Sequence, residues 1–347
     1  MVERPPSLRA IAVATGVSVS TVSRYLRGQL ALRPETEARL LDAAEKLGYH
    51  QAAERSASRP NRRPRQGTIG LVLPELRNTY FGVAADEIVR AAESHGLAVV
   101  IASTLLHSRH QEDYVELLGG LGVSGLIYSG NSISNPALSV LARSEIPIVV
   151  FDEHVENVPN ADEVLIDDYS GGFQATALLT SLGHRRIAFV GGPPELLSVR
   201  RRGDGWADAL RQAGVDPAQQ LSLPGDYTLD FGSAAVSYLL SAAERPTAVF
   251  AASDVVALGL LSAARSLGVR IPEELSIVGY DDIPQSALVT PRLTTVRTPL
   301  NQMADTAVSL LVDRIADPTR SPRTVITPVT LVSGGSVARL GEAPAAR

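Results

Sequence analysis

Residues 16 to 26 run Gly16-Val17-Ser18-Val19-Ser20-Thr21-Val22-Ser23-Arg24-Tyr25-Leu26, a glycine followed by small hydroxyls and one arginine. Hydroxyls exchange hydrogen bonds with phosphate oxygens, and a guanidinium can place two parallel N–H bonds on guanine O6 and N7. Residues of these types on one face of a short helix are equipped to read DNA. Val22 and Leu26, four apart, turn inward together and leave Val19, Ser20, Ser23 and Arg24 for a major groove. An ordinary helical hairpin with a solvated Ser/Thr face has the same composition, so the segment alone leaves both readings open.

A second set consists of polar and aromatic residues at the ends of apolar runs: Asn78 and Phe81, Asp152 after Phe151, Arg200 beyond Gly191-Gly192, Tyr227, Asp254 and Asp281. Arginine and carboxylate together can form paired bonds to adjacent hydroxyls of a sugar or sugar phosphate, and would also serve a purine. Each residue alone has a structural reading. Asp152 and Asp254 could cap helices, Tyr227 could be core, and Arg202, two positions beyond Arg200, could form a salt bridge or itself meet a ligand.

Other chemistry has less support. His107 and His110, beside Glu112 and Asp113, have a spacing that could hold a metal, but a solvated helix start explains them better and no metal is expected. Gly191-Gly192-Pro193-Pro194 lacks the Gly-Lys-Ser/Thr ending of a phosphate loop and reads as a strand-end turn. The chain has no cysteine and no Gly-x-Ser-x-Gly elbow, so the reading is a binding protein with no cofactor, not an enzyme.

These residues need elements to position them. Ser7 to Ala14 reads as a helix with Leu8, Ile11 and Ala12 as its apolar stripe; Gly16 permits the positive φ of a tight corner, and Ser18 stands where an N-cap is wanted. A third helix runs from about Pro34 to Leu47, with Leu40, Leu41, Ala44 and Leu47 apolar and Gly48 as its stop. The run Arg59-Pro60-Asn61-Arg62-Arg63-Pro64-Arg65 is a basic linker without core residues. From Thr68 apolar strands alternate with helices, and a second such series begins near Val164. That pattern implies two parallel sheets with a crevice between them.

Charge divides the chain in the same place. Residues 1 to 67 hold 12 Arg/Lys against 6 Asp/Glu, and the remaining 280 hold 20 against 31. A basic head on an acidic body is the distribution expected when only the head meets phosphate. The absence of a signal peptide, of an apolar run of membrane-spanning length and of cysteine gives an expectation of a cytoplasmic, nucleoid-associated protein with no membrane partner.

The ordered set of Gly16-Val17-Ser18 with Thr21-Val22-Ser23-Arg24, Leu47-Gly48-Tyr49, Ile69-Gly70-Leu71-Val72, Val123-Ser124-Gly125-Leu126-Ile127, Leu182-Gly183-His184-Arg185-Arg186-Ile187, Val278-Gly279-Tyr280-Asp281-Asp282 and Pro291-Arg292-Leu293-Thr294-Thr295-Val296 resembles the LacI/GalR family. The resemblance implies an all-α helix-turn-helix head on an α/β core of two type I periplasmic-binding-protein lobes with Rossmann-like parallel sheets. It places the head at 1–50, a hinge at 51–67, one lobe at 68–163 with 292–320, the other at 164–291 with 321–340, and a disordered tail at 341–347. It implies a dimeric repressor on a palindromic double-stranded operator, controlled by a small effector between the lobes. Val19, Ser20 and Arg24 fall on its base-reading positions, while Ser18, Thr21 and Ser23 suit phosphate; Arg200 and Asp281 fall on effector-bonding positions and Tyr227 on one that stacks. Ser58 stands where the family's hinge carries a minor-groove leucine, so the arginines of 59–65 are expected to compensate by phosphate or narrow-groove contacts. The rival reading is a cytosolic sugar-binding protein or enzyme on the same scaffold without operator recognition.

Overall fold

The computed structural model describes residues 8–26, 30, 32–46, 67–130, 133–143 and 146–341. The hinge positions Ser58 and Arg59 to Arg65, and all of the tail after Gly341, lie outside the described residues. The chain divides into two compact units, Met1–Pro64 and Arg65–Arg347.

The first unit holds α1 (Leu8–Thr15), α2 (Val19–Leu26) and α3 (Pro34–Lys46). Gly16 ends α1 with φ +68°, a conformation that costs glycine nothing. Ser18 then opens α2, its Oγ accepting the Thr21 N–H at 3.1 Å. Proline occupies the first position of α3, where its missing N–H is not needed. Ile11, Val22, Leu40 and Ala44 are fully buried between the three helices.

The second unit is built on two six-stranded sheets. The first contains β1 (Gly67–Leu73), β2 (Leu97–Ser103), β3 (Gly125–Tyr128), β4 (Ile148–Asp152), β5 (Asp162–Ile166) and β11 (Thr324–Thr327), in the order β11-β5-β4-β3-β1-β2. The second contains β6 (Ile187–Val190), β7 (Ser222–Leu223), β8 (Ala248–Ala251), β9 (Ser276–Asp281), β10 (Thr294–Arg297) and β12 (Thr330–Val332), in the order β12-β10-β9-β8-β6-β7. Position for position the two orders correspond, and β4 of one sheet occupies the place of β9 in the other. The central strands are mainly apolar along their length because helices cover both faces.

Around the first sheet stand α4 (Thr79–Ser94), α5 (Ser108–Gly120) and α6 (Pro136–Arg143). Around the second stand α7 (Asp168–Ser181), α8 (Leu197–Gln212), α9 (Leu229–Ser241) and α10 (Asp254–Ser266). The last helix, α11 (Leu300–Ala316), returns to pack on α4 and on β3, β4 and β5.

The chain therefore passes between lobes at Asp167, at Thr298-Pro299 and at Pro328-Val329, which corrects the expected boundaries. β5 belongs to the first sheet, where Asp162 to Leu165 pair in parallel with Val149 to Asp152. β10 belongs to the second, with Thr294 paired to Val278. Residues 321–340, all expected in the second lobe, hold two strands in different sheets. β11 runs parallel to β5 and β12 antiparallel to β10. Alternating apolar residues mark a strand but do not say which sheet it joins; only backbone pairing does.

Candidate functional site

In the head, the residues at the start of α2 face solvent. Ser18, Val19 and Ser20 are exposed, Val19 by 44%, and Thr21 is half-buried. The Ser18 Oγ lies 2.8 Å from Ser20 Oγ and 2.7 Å from Thr21 Oγ1, forming a small hydroxyl cluster. Ser23 and Arg24 are on the same helix; their side chains, and that of Leu26, lie outside what the structure describes. Sequence reasoning missed Tyr25, which is partly buried against the core and donates its hydroxyl to Glu37 Oε1 at 2.6 Å. That bond holds α2 on α3 and raises the phenol above its usual range.

Between the lobes of the second unit lies a cavity of about 310 Å³, a size at the lower end of small-molecule pockets. Five of the seven residues expected there line it: Asn78, Phe81, Asp152, Tyr227 and Asp281. Asn78 opens α4, its Oδ1 accepting the Tyr80 N–H at 3.1 Å. Phe81 stands edge-on to Tyr80, ring centres 5.2 Å apart. Asp152 and Asp281 end β4 and β9, the equivalent strands of the two sheets, and both have positive φ, 74° and 114°. Such strained backbone persists where the surroundings fix it, often at ligand sites.

Burial lifts the Asp152 carboxyl to about 7, opposed by the hydroxyl it accepts from Tyr80 and reinforced by Glu153 and Asp168. Burial likewise holds Asp281 well above the usual carboxylate range, against the attraction of Arg202. The Tyr227 ring passes close to Gly192, where a Cβ would lie 2.5 Å from it, and its buried hydroxyl has no hydrogen-bond partner.

Two expectations need correction. Arg200 is exposed and does not line the cavity; Arg202 does. Arg202 is 4% exposed, donates from Nε to Asp168 Oδ1 at 2.7 Å and from Nη1 to the Ala252 carbonyl at 2.6 Å. Its guanidinium lies 3.7 Å from the centre of the Tyr280 ring and 4.0 Å from Asp281 Oδ1. The helical repeat explains the shift, since Val199, Arg202 and Trp206 share the inward face of α8 and Arg200 lies on the other side. Asp254 also stays out of the cavity. Its carboxylate accepts from Ile283 N at 3.0 Å, Ser286 Oγ at 2.6 Å and Thr295 Oγ1 at 2.6 Å, joining α10 to the following turn and to β10.

Glu153, unanticipated, is 4% exposed and lies one residue beyond β4 in the first lobe. Its carboxylate accepts the Leu197 N–H at 3.0 Å, the Ser198 N–H at 3.3 Å and the Ser198 hydroxyl at 2.5 Å. It thus caps α8 from the opposite lobe, and Leu196, the residue at the cap position, supplies no side-chain bond. His107 and His110 lie edge to face 5.0 Å apart, with His110 Nδ1 3.1 Å from the Thr104 carbonyl. Among the described residues no three His, Cys, Asp or Glu are grouped to hold a metal, and no helix is long and apolar enough to cross a membrane.

Residues 7–51 match the family model for bacterial regulatory proteins of the lacI family, and residues 176–337 match that for a periplasmic binding protein-like domain. The chain is 35% identical to an uncharacterized HTH-type transcriptional regulator in the aml 5′ region of Streptomyces limosus, covering 96% of this chain and 95% of that one. Among solved structures it is similar to the transcriptional regulator CelR in complex with cellobiose, with a TM-score of 0.72 and 31% identity over 95% of this chain and 99% of that one. A LacI family regulator from Enterococcus faecium with bound ribose gives a TM-score of 0.73 and 29% identity over 79% and 99%.

Proposed function

Because the chain belongs to the LacI family of DNA-binding transcriptional regulators, we propose that it is a repressor acting as a homodimer on a palindromic operator, its affinity set by a sugar held between the lobes. One observation carries the effector reading. Asp152 and Asp281 come from equivalent strand ends of the two lobes and meet on one cavity. A molecule whose hydroxyls donate to both carboxylates joins one lobe to the other, and so binds one lobe arrangement better than another. That difference is what an effector needs in order to shift a conformational equilibrium. Arg202, Tyr227, Phe81 and Asn78 supply the remaining polar and aromatic wall. Solved relatives holding ribose and cellobiose support a sugar as the ligand class.

In the head, Arg24 is assigned to a guanine edge, with Val19 and Ser20 beside it in the major groove and Ser18, Thr21 and Ser23 on phosphates. One eight-residue helix offers too few base contacts for useful specificity, which favours two heads on related half-sites. The free edge strand β2 supports pairing of copies, since it leaves Val100 and Ile101 about 40% exposed. Such a protein works in the cytoplasm on the nucleoid.

The test is selection of duplexes from a random library by the full chain at near-physiological salt, with and without a pool of sugars and nucleobases. Enrichment of one palindrome, altered by a sugar, is the expected result. Salt-sensitive binding with no preferred sequence would overturn the operator assignment and favour a ligand-binding protein on this scaffold.

A further inference from the structure

Among the described residues, the cavity wall carries six carboxylates, Glu75, Asp152, Glu153, Glu195, Asp226 and Asp281, and one cation, Arg202. That cation is already matched, since its Nε bonds to Asp168 behind the wall. Building on the sugar reading above, we infer that the cavity takes an uncharged sugar and excludes the phosphate ester and other anionic forms of that sugar.

Donors and charge decide between the two forms. Carboxylates accept hydrogen bonds, and a sugar hydroxyl donates one to each it meets. A phosphate ester brings acceptor oxygens and nearly two negative charges into the same wall, where each unit charge is repelled more strongly than in water.

Phosphate sites on folds of this kind use helix N-termini, and four of them reach this cavity. Each already has a stop, a wall side chain that accepts at least one of its first N–H groups. Asn78 accepts from Tyr80 N–H at α4, and Glu153 from Leu197 and Ser198 N–H at α8. Thr228 accepts from Phe231 N–H at α9, and Ser253 from Val256 N–H at α10. At α8 the stop is itself a carboxylate, so the place an anion would take is filled by Glu153. Burial disfavours negative charge at Asp152, Glu153 and Asp281, and repulsion among these carboxylates and from Asp168 and Asp254 adds to it; a phosphate held against the same wall meets both penalties. A protein built so responds to the free sugar, ahead of any phosphoryl transfer to it.

The full chain is titrated by calorimetry at pH 8 with ribose, xylose, glucose, galactose and cellobiose, and with ribose 5-phosphate, glucose 6-phosphate and galactose 1-phosphate. A neutral sugar should bind, and its ester at least ~100-fold more weakly. An ester that binds as tightly as its parent overturns the inference and leaves the sugar reading standing. Silence from every compound, neutral or charged, sinks the sugar reading and the inference with it. A second arm tests the cause: Glu195→Gln with Asp226→Asn removes two exposed carboxylates at the rim. The preference for the neutral form should then fall by roughly 10-fold and become less sensitive to salt. Unchanged discrimination in that variant would show that charge is not what excludes the ester.

Discussion

Arg202 is the residue through which the site and the fold depend on each other. Its guanidinium is buried, and Asp168 is 6% exposed, so removing one partner leaves a charge without compensation. Arg202→Ala should therefore lower the unfolding free energy by about 3–5 kcal/mol, whereas Arg200→Ala, at an exposed position, should change it by less than about 0.5 kcal/mol. Urea titrations of the two variants check this directly, and equal costs would contradict the geometry. A pH dependence follows from Asp152 and Asp254, each held up at about 7 chiefly by burial. The sign is fixed by linkage. A carboxyl whose proton is held more tightly in the folded state stabilises the fold at low pH, and that stability is lost as pH rises from the ordinary carboxylate range through about 7. Around Asp152 stand Tyr80, Glu153, Asp168 and Arg202, and only the last opposes the shift by charge. The melting temperature should fall between pH 5 and pH 8, and Asp152→Asn should flatten part of that slope in a thermal scan; an identical slope would place the titrating group elsewhere. At this scale the sequence was legible for strand-end residues, because an apolar run followed by Asp or Asn announces where a side chain leaves a sheet. It was less legible on α8, where Arg200, Arg201 and Arg202 are chemically alike and only the helical phase selects the inward one. Asp254 shows the converse, a strand-end carboxylate absorbed by its own lobe.

At the scale of elements, Glu153 ties two lobes at the start of a helix. Its bonds to Leu197 and Ser198 exist only while the lobes are apposed, so they favour the closed arrangement in the absence of ligand. Glu153→Ala should leave the first N–H groups of α8 to water, at a cost of about 1 kcal/mol in the closed form and none in the open one. Sugar affinity should then drop by roughly 5-fold, and the unliganded protein should show a larger radius of gyration in small-angle scattering. A variant with unchanged radius and affinity would mean that this cap does not bear on lobe closure. The helices were legible within a residue or two because caps and stops are local: Ser18, Asn78 and Pro34 each sit where the chain needs them. Strand membership was not, since the chain crosses to the other lobe directly after β5, β10 and β11. What holds β5 and β11 in the first sheet includes a cluster no local pattern announces. Buried Asp162 accepts from Arg314 at 2.8 and 3.0 Å, from Arg320 at 2.9 and 2.5 Å and from Arg323 N at 2.8 Å. Burial alone would raise that carboxyl, and these bonds hold it below the ordinary range. Its partners lie more than 150 residues away, beyond the reach of any window of sequence.

For the whole molecule the decisive property is that three separate strands of chain, at Asp167, Thr298-Pro299 and Pro328-Val329, join the lobes. A rearrangement of one lobe against the other must be accommodated at all three, which favours a few discrete arrangements over a continuum. The two-lobed plan was legible early, from alternating strands and helices and from a basic head on an acidic body, because composition and periodicity are properties of long stretches. The sign of the effector's action was not, since it depends on which lobe arrangement suits the operator, a relation between units that no single residue encodes. Thermodynamics still constrains it. If the sugar changes operator affinity by some factor, the operator must change sugar affinity by the same factor, whichever direction control takes. Typical couplings of about 1–3 kcal/mol correspond to factors of roughly 5 to 150. Operator affinity should therefore be measured by fluorescence anisotropy with and without saturating sugar, and sugar affinity by calorimetry with and without saturating operator, at one salt concentration. Salt must be matched because the basic head, unlike the acidic body, draws much of its DNA affinity from counterion release. Equal factors are the expected result. If the sugar binds identically to free and operator-bound protein while operator affinity responds to added sugar, the response does not come from the interlobe cavity, and the assignment of Asp152, Arg202 and Asp281 to the controlling ligand fails.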